Sequence, residues 1–521
     1  MAASELAGKT VVIRADAGPH IGTGHVMRCL ALAQAWQEEG GAVRFALASL
    51  TPALEARLGA EGFDIIRVTA AAGSTLDSAQ TIAAAREAGA VWLVVDGYHF
   101  DAAYQQAIKA SGLPLLAIDD YGHAKCYWAD VVLNQNINAC EALYPSREAY
   151  TRLLLGTQYA LLRREFSPWR GWQREISPEA RRVLVTMGGA DPDNVTLKVL
   201  EALRQVQVKG LEVKIVVGGS YPHRETLGAW DNPGICELIE DSRDMPDLMA
   251  WADVAVSAAG STCWELAFMQ LPSVLLILAD NQRFNATGLD SAGATLNLGW
   301  HRDVRPAVLA HALQRLLAAR EVRAEMAGVG RSLVDGNGSF RVAALMSGLQ
   351  VRVRPVSNED CALLFQWATD PLTRQMSFHS DPIRWEEHQQ WFEQVTHEPH
   401  SMFLVAEWLQ KGRWIPVGQV RIAQDGIVSI SIAPEYRGRR LAWPTLQAAV
   451  ARYHACFPEK VLTAYIKPEN RASQRVFRQA GFEYTGEAEV SGQSCLKYEY
   501  QPPSSRVERD SGERGGYVYD R

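Results

Sequence analysis

No two cysteines in this sequence are spaced as Cys-x-x-Cys. The eight present, Cys29, Cys126, Cys140, Cys236, Cys263, Cys361, Cys456 and Cys495, are scattered. That excludes a zinc or redox-dithiol signature and leaves buried, reduced thiols as the expectation. Long apolar runs are missing as well. The longest, such as Val274–Ala279, are strand-sized and too short to span a bilayer, so no membrane partner is expected. Met1–Gly8 lacks a basic stretch followed by an apolar one, so no secretory signal is read, and a cytoplasmic enzyme fits. An excess of positive charge is also absent. A formal net charge of -7 argues against nucleic acid as a partner, because a phosphate backbone demands a basic surface.

What is present is a strand–loop–helix rhythm. At roughly 100–200 residues per domain, 521 residues imply about three domains. Thr10–Ile13, Val43–Ala48, Val91–Val95 and Leu115–Ile118 read as buried strands. The last two end in aspartates, Asp96 and then Asp119-Asp120. Val26, Leu30 and Ala33 recur at helical spacing. Arg163–Arg181, with Pro168 and Pro178, reads as a polar linker. The rhythm then restarts at Arg182–Met187, Val213–Val217, Val254–Ser257 and Ser273–Leu278. Two doubly wound α/β halves in tandem are therefore expected, with a cleft between them. After Ser347–Gln350 the order becomes α+β. Strands are expected over Val351–Pro355, Met402–Glu407, Pro416–Ile422, Ile427–Ile432, Val461–Ile466 and Leu496–Tyr500. Helices are expected over Glu359–Thr369, Trp385–Thr396, Ala442–His454 and Asn470–Ala480. The division is 1–165, 166–348 and 349–501, with a disordered tail over 502–521.

Gly22-Thr23-Gly24-His25 joins the first strand to its helix. Glycines allow close backbone approach to a ligand. The helix start offers free N–H groups and a positive dipole end, which favours the neutral imidazole of His25, the form that accepts a proton. The string from Arg14 and Asp16 through Ile21–His25 to Arg28-Cys29-Leu30 resembles the UDP-sugar hydrolase of the pseudaminic acid pathway. So do Val94–Tyr98, Ile118–Asp120 and Leu155–Phe166. The resemblance covers about two-thirds of the chain. It implies two Rossmann-like doubly wound domains in the GT-B arrangement, with His25 as the base that activates water. Asp16, Gly22, Gly24, Arg28, Asp96 and Tyr98 are implied to shape the pocket. Asp96 reads equally as a strand-end carboxylate with no role. Asp119-Asp120 would suit Mg²⁺, but solvated turn carboxylates are the expectation, and no metal is expected.

In the second half, Gly188-Gly189 and Gly260-Ser261-Thr262 each stand between a strand and a helix, where small residues and hydroxyls can hold a diphosphate. Glu265 follows one turn later. These segments resemble the nucleotide site of GT-B enzymes, which implies that Glu265 reaches ribose hydroxyls and that Asn281 and Gln282 reach donor sugar or nucleotide. Taken alone, Glu265 is an ordinary first-turn carboxylate.

In the last domain, Ile430–Ala442 resembles the pyrophosphate loop of GNAT acetyltransferases, with Arg440 in place of the central glycine. The resemblance implies acetyl-CoA binding by Ile432, Arg437, Gly438, Arg439, Arg440, Leu441 and Ala442. Asn470 and Ser473 are implied to bond the pantetheine and phosphate portions. Phe477 stands where many relatives have a tyrosine acid, so it reads as core. Met376–Ser380 and Trp385–Phe392 resemble the acceptor side of GNATs that act on nucleotide-linked 4-amino sugars. Trp and Phe can stack on a base, and Glu or His can take the amine proton.

The two resemblances imply consecutive steps. A UDP-linked amino sugar would be N-acetylated from acetyl-CoA. The UDP-diacetamido sugar would then be cleaved to UDP and free sugar with inversion. The competing expectation is a GT-B glycosyltransferase carrying a non-catalytic, nucleotide-sugar-binding GNAT-like domain.

Overall fold

The structure, a computed structural model, describes residues 8–18, 21–219, 221–227, 236–240, 242–347, 351–410, 413–439 and 441–501. Arg440 and the 502–521 tail lie outside the described residues. The chain forms two compact units, one of them Ser4–Ala343 and the other beginning at Ala344.

Thr10–Ala15 (β1), Ala42–Leu47 (β2), Asp64–Arg67 (β3), Ala90–Asp96 (β4), Leu115–Ile118 (β5), Val131–Asn134 (β6) and Arg152–Leu155 (β7) form one parallel sheet in the order β3-β2-β1-β4-β5-β6-β7. Arg182–Thr186 (β8), Glu212–Val217 (β9), Cys236–Glu240 (β10), Val254–Ala258 (β11), Ser273–Ile277 (β12) and Leu296–Trp300 (β13) form a second, in the order β10-β9-β8-β11-β12-β13. Both are covered by helices. Val254–Ala258 and Leu115–Ile118 are buried at every position, as strands covered on both faces must be. In each sheet the order reverses beside the first strand, at β1/β4 and β8/β11. A crevice opens at that point beyond the strand carboxyl ends.

The segment expected as a loose linker is packed instead. Phe166 is buried. Arg170 donates to Gly336 O, and Arg174 donates to Met249 O, Ala252 O and Met269 O. Those carbonyls lie at or just past helix ends, where intrahelical partners run out, so arginines that look polar in sequence act as clamps. Burial pushes the Arg174 guanidinium down to about 10. Arg174→Ala is expected to destabilise the first unit by about 2–4 kcal/mol by stranding carbonyls, read as a lower urea midpoint. An unchanged midpoint would show that the strap adds nothing.

The second unit holds Val351–Pro355 (β14), Met402–Gln410 (β15), Arg413–Ile422 (β16) and Val428–Ile432 (β17) as an antiparallel sheet. Leu462–Ile466 (β18), Glu483–Val490 (β19) and Gln493–Tyr500 (β20) form a second, in the order β18-β20-β19. The α/β halves and the α+β unit are the fold class read from sequence. Strands β3, β6, β7, β10, β13 and β19 were not among the expected elements.

The thiols divide. Cys29, Cys236, Cys263 and Cys495 are buried, but Cys140 and Cys456 are exposed, against the expectation of burial. Among the described residues, no helix is long and apolar enough to cross a membrane.

Candidate functional site

His25 sits in the first turn of the Gly24–Glu38 helix, directly beyond β1. Asp96 ends β4 and is in register with Ala15 of β1, so parallel pairing alone brings the two together. His25 Nδ1 lies 2.6 Å from Asp96 Oδ1. With the carboxylate as acceptor, Nδ1 carries the proton and the Nε2 lone pair is left to face other groups. Arg28, one turn along the helix, grips Asp96 with Nε and Nη2 at 2.6 and 2.7 Å and reaches Asp120 with Nη1 at 2.7 Å. Burial alone would raise the Asp96 carboxyl. The charge of Arg28, with hydrogen bonds from Arg28 and His25, holds it well below the ordinary carboxylate range instead. Tyr98 donates its hydroxyl to Asp120 at 2.6 Å, and Asn281 of the second half donates to that hydroxyl at 2.8 Å. The rings of His25 and Tyr98 meet edge to face at 5.1 Å.

Asp119 and Asp120 are not the solvated turn carboxylates expected. They are 0% and 8% exposed. Asp119 accepts from the Gly122 N–H, His123 and the Tyr127 hydroxyl. Asp120 accepts from Arg28, Tyr98 and Asn136. The loop after β5 supplies all three donors to Asp119, while those to Asp120 converge from three separate segments. Among the described residues, no group of three or more His, Cys, Asp or Glu side chains is arranged to hold a metal ion. Asp16 stands apart from this network. It pairs with Arg14 at 2.8 Å and accepts from the Ala48 and Ser49 N–H groups, which braces the strand ends.

The two halves approach each other through their loops. A Cβ on Gly189 would fall 2.0 Å from Thr23 Oγ1, so only glycine fits there. A Cβ on Gly24 would lie 3.7 Å from Ser261 Oγ. Gly22 and Gly188 both have positive φ. Ser261 precedes the Thr262–Phe268 helix and makes no side-chain cap bond. A Cβ on Gly260 would lie 3.7 Å from Gln282 Nε2, while Gln282 Oε1 accepts from the Leu278 N–H. Thr23 and Gly24 of the first half thus face Gly189 and Ser261 of the second. Glu265 accepts from Arg163 Nη2 at 2.8 Å. Burial raises its carboxyl, and Arg163 offsets part of that. Sequence reasoning gave no role to Arg163 or Asp120. Each stands inside one of the resembling segments, but its partner is more than ninety positions away.

In the second unit, β17 and β18 join by a bridge at Ile427–Thr463. No ladder pairing continues along the described residues of the two strands, so their carboxyl ends diverge. Ile432 ends β17, Gly438 has φ +76°, and Leu441 precedes the Ala442–Cys456 helix. That mouth is followed by a turn and a helix start. The side chains are partly committed already. Arg437 bonds Asp370, Thr373 and Ile432 O. Arg439 lies 5.8 Å over the rings of Trp408 and Tyr436. Asn470 caps the Arg471–Gln479 helix by accepting from the Ser473 N–H at 3.0 Å. Phe477 and Phe392 are core, while Trp391 is 36% exposed. His388 is buried, lies 3.1 Å from Cys361 O, and is pushed down by burial.

Comparison with known proteins matches this layout. Residues 182–331 match the family model "Glycosyltransferase family 28 C-terminal domain", and residues 350–483 match "Acetyltransferase (GNAT) domain". The two matches fall one in each compact unit. A spore coat polysaccharide biosynthesis protein of Bacillus subtilis is 31% identical over 201 residues, 38% of this chain and 59% of that protein. The chain therefore spans about six-tenths of that relative's length. A Campylobacter jejuni protein named UDP-2,4-diacetamido-2,4,6-trideoxy-beta-L-altropyranose hydrolase is 24% identical over 286 residues, 54% of this chain and 97% of that protein. An uncharacterized protein of Methanocaldococcus jannaschii is 21% identical over 402 residues, 73% of this chain and 77% of that protein. That last stretch is longer than either compact unit, so the similarity runs through parts of both. The resemblance to the pseudaminic acid pathway hydrolase thus has a named relative, and the GNAT resemblance has a matching family model.

Proposed function

We propose that this chain carries out two consecutive steps on a UDP-linked sugar. The GNAT unit, 349–501, N-acetylates the 4-amino group of a UDP-amino sugar, and the GT-B-like halves, 1–165 and 166–348, hydrolyse the resulting UDP-2,4-diacetamido-2,4,6-trideoxy sugar. The observation that carries the hydrolytic step is the His25–Asp96 pair beside a glycine loop that meets Ser261 of the other half, with Tyr98 meeting Asn281. In this mechanism Asp96 keeps the proton on Nδ1, and Nε2 takes a proton from one water. The water oxygen bonds to C1 as the C1–O bond to UDP breaks, and the electron pair leaves on the diphosphate. Gly188, Gly189, Gly260, Ser261 and Thr262 supply N–H and hydroxyl donors to that departing charge. Glu265 and Gln282 hold the nucleotide, while Asn281 and Tyr98 shape the sugar side. Gly22, Gly24 and Arg28 set the position of His25, and Asp16 braces the loop from behind.

In the second unit acetyl-CoA supplies the acetyl thioester. The splayed ends of β17 and β18 admit it, with the turn from Ile432 through Gly438 and Arg439 to Leu441 and Ala442 turning N–H groups toward its phosphates. Ser473 stands at the start of the helix that Asn470 caps. The partners are small molecules, a UDP-sugar and acetyl-CoA.

Hydrolysis in H₂¹⁸O tests the attack. The label is expected at C1 of the free sugar and absent from UDP, with the inverted anomer appearing first. Label in UDP would mean attack at phosphorus and would rule out His25 as the base for attack at C1.

A further inference from the structure

The segment after Ala368 crosses the mouth between the diverging strands and is tied down at both sides. Asp370 opens the short helix Pro371–Met376 and accepts from the Thr373 N–H. The same carboxylate takes Arg437 Nη2 at 2.5 Å, and Thr373 Oγ1 takes it at 2.7 Å. Arg437 is anchored in turn by Nε to Ile432 O, at the end of β17. On the other side, Lys467, the residue directly after β18, donates to Gln375 O at 3.1 Å. Gln493, at the start of β20, donates to Phe378 O at 2.8 Å, and the Lys467 ammonium lies 5.9 Å from the Phe378 ring. Asp370–His379 is thus a strap with one post on each diverging strand.

We propose that Arg437 and Lys467 are positioning residues for the acceptor amine. They hold this strap, with Phe378 and His379, over the mouth where the thioester meets its acceptor. This rests on the acetyltransferase reading of the unit. The guanidinium of Arg437 faces a carboxylate and a hydroxyl, and one of its nitrogens is already spent on a backbone carbonyl. Its charge serves the strap, and the diphosphate of the cosubstrate is left to the backbone N–H groups of the loop. Arg437 acts through Asp370, so removing either should have the same consequence.

The test uses the full chain with Arg437→Gln, Asp370→Asn, the double variant and Lys467→Met. Asparagine also caps helices, so Asp370→Asn removes the ion pair while keeping the helix start. Acetyl-CoA affinity is read by calorimetry, and acetylation kinetics with a UDP-4-amino sugar. Each single variant is expected to raise the acceptor KM about tenfold, the double variant no further, and acetyl-CoA Kd to stay within about twofold, since residues acting through one contact are not additive. A tenfold loss of acetyl-CoA affinity in Arg437→Gln, with none in Asp370→Asn, would make Arg437 a phosphate ligand and overturn the proposal. Additive effects in the double variant would do the same. A wild-type chain that binds no acetyl-CoA would remove the acetyltransferase reading itself, a result separable from either.

Discussion

Replacing His25 by alanine should lower kcat for UDP-sugar hydrolysis by about 10²–10⁴-fold, the range for loss of a positioned general base. UDP affinity should hardly move. The groups assigned to the nucleotide, Gly188 to Thr262 and Glu265, belong to the second half. His25 reaches Asp96 and Arg28 of the first. The two effects therefore separate. Turnover is read by UDP release and binding by UDP titration of the same sample. Parallel loss of both would mean that His25 shapes the cleft. A kcat within about threefold of wild type would mean that another group activates water. Two losses are expected in the variant: the acceptor for the water proton, and the donor that occupies Asp96 Oδ1. The second is mild, because Arg28 still grips both oxygens of Asp96.

Arg28→Met should be the most destabilising single change in the first unit, by about 3–5 kcal/mol, because it strands buried carboxylates that its guanidinium alone pairs with a full charge. Arg28 is buried and contacts Asp96 and Asp120, themselves 1% and 8% exposed. Methionine fills similar volume, so the loss is electrostatic more than steric. Adding Asp120→Asn to Arg28→Met should recover part of the loss, since one stranded charge is gone. Denaturant unfolding of the two variants checks this. Equal stability of Arg28→Met and wild type would mean that water reaches the carboxylates.

Both expectations turn on a residue whose partners are distant in sequence, and that separates what was legible from what was not. Val91–Val95 and Leu115–Ile118 were readable because parallel strands covered on both faces are continuous apolar runs. Asp64–Arg67 and Glu483–Val490 were not, since edge strands with polar faces lack that signal. His25 stood out by its place in a glycine loop before a helix. Asp120 did not, because its worth comes from Arg28 and Tyr98, which only the fold brings to it. The polar stretch after Arg163 read as a linker because composition cannot show that Arg170 and Arg174 would find backbone carbonyls. Asn470 has a structural use that the sequence did not show. The motif resemblance pointed to a cosubstrate contact, and the side chain caps its own helix.

The central claim is two active sites acting in order, and NMR of the purified chain tests it most directly. The substrate is a UDP-4-amino-4,6-dideoxy-N-acetyl sugar, followed with and without acetyl-CoA. The expected result is UDP and free diacetamido sugar only when acetyl-CoA is present. An unacetylated substrate, alongside hydrolysis of supplied diacetamido substrate, would contradict the claim and leave the GNAT unit as a binding module.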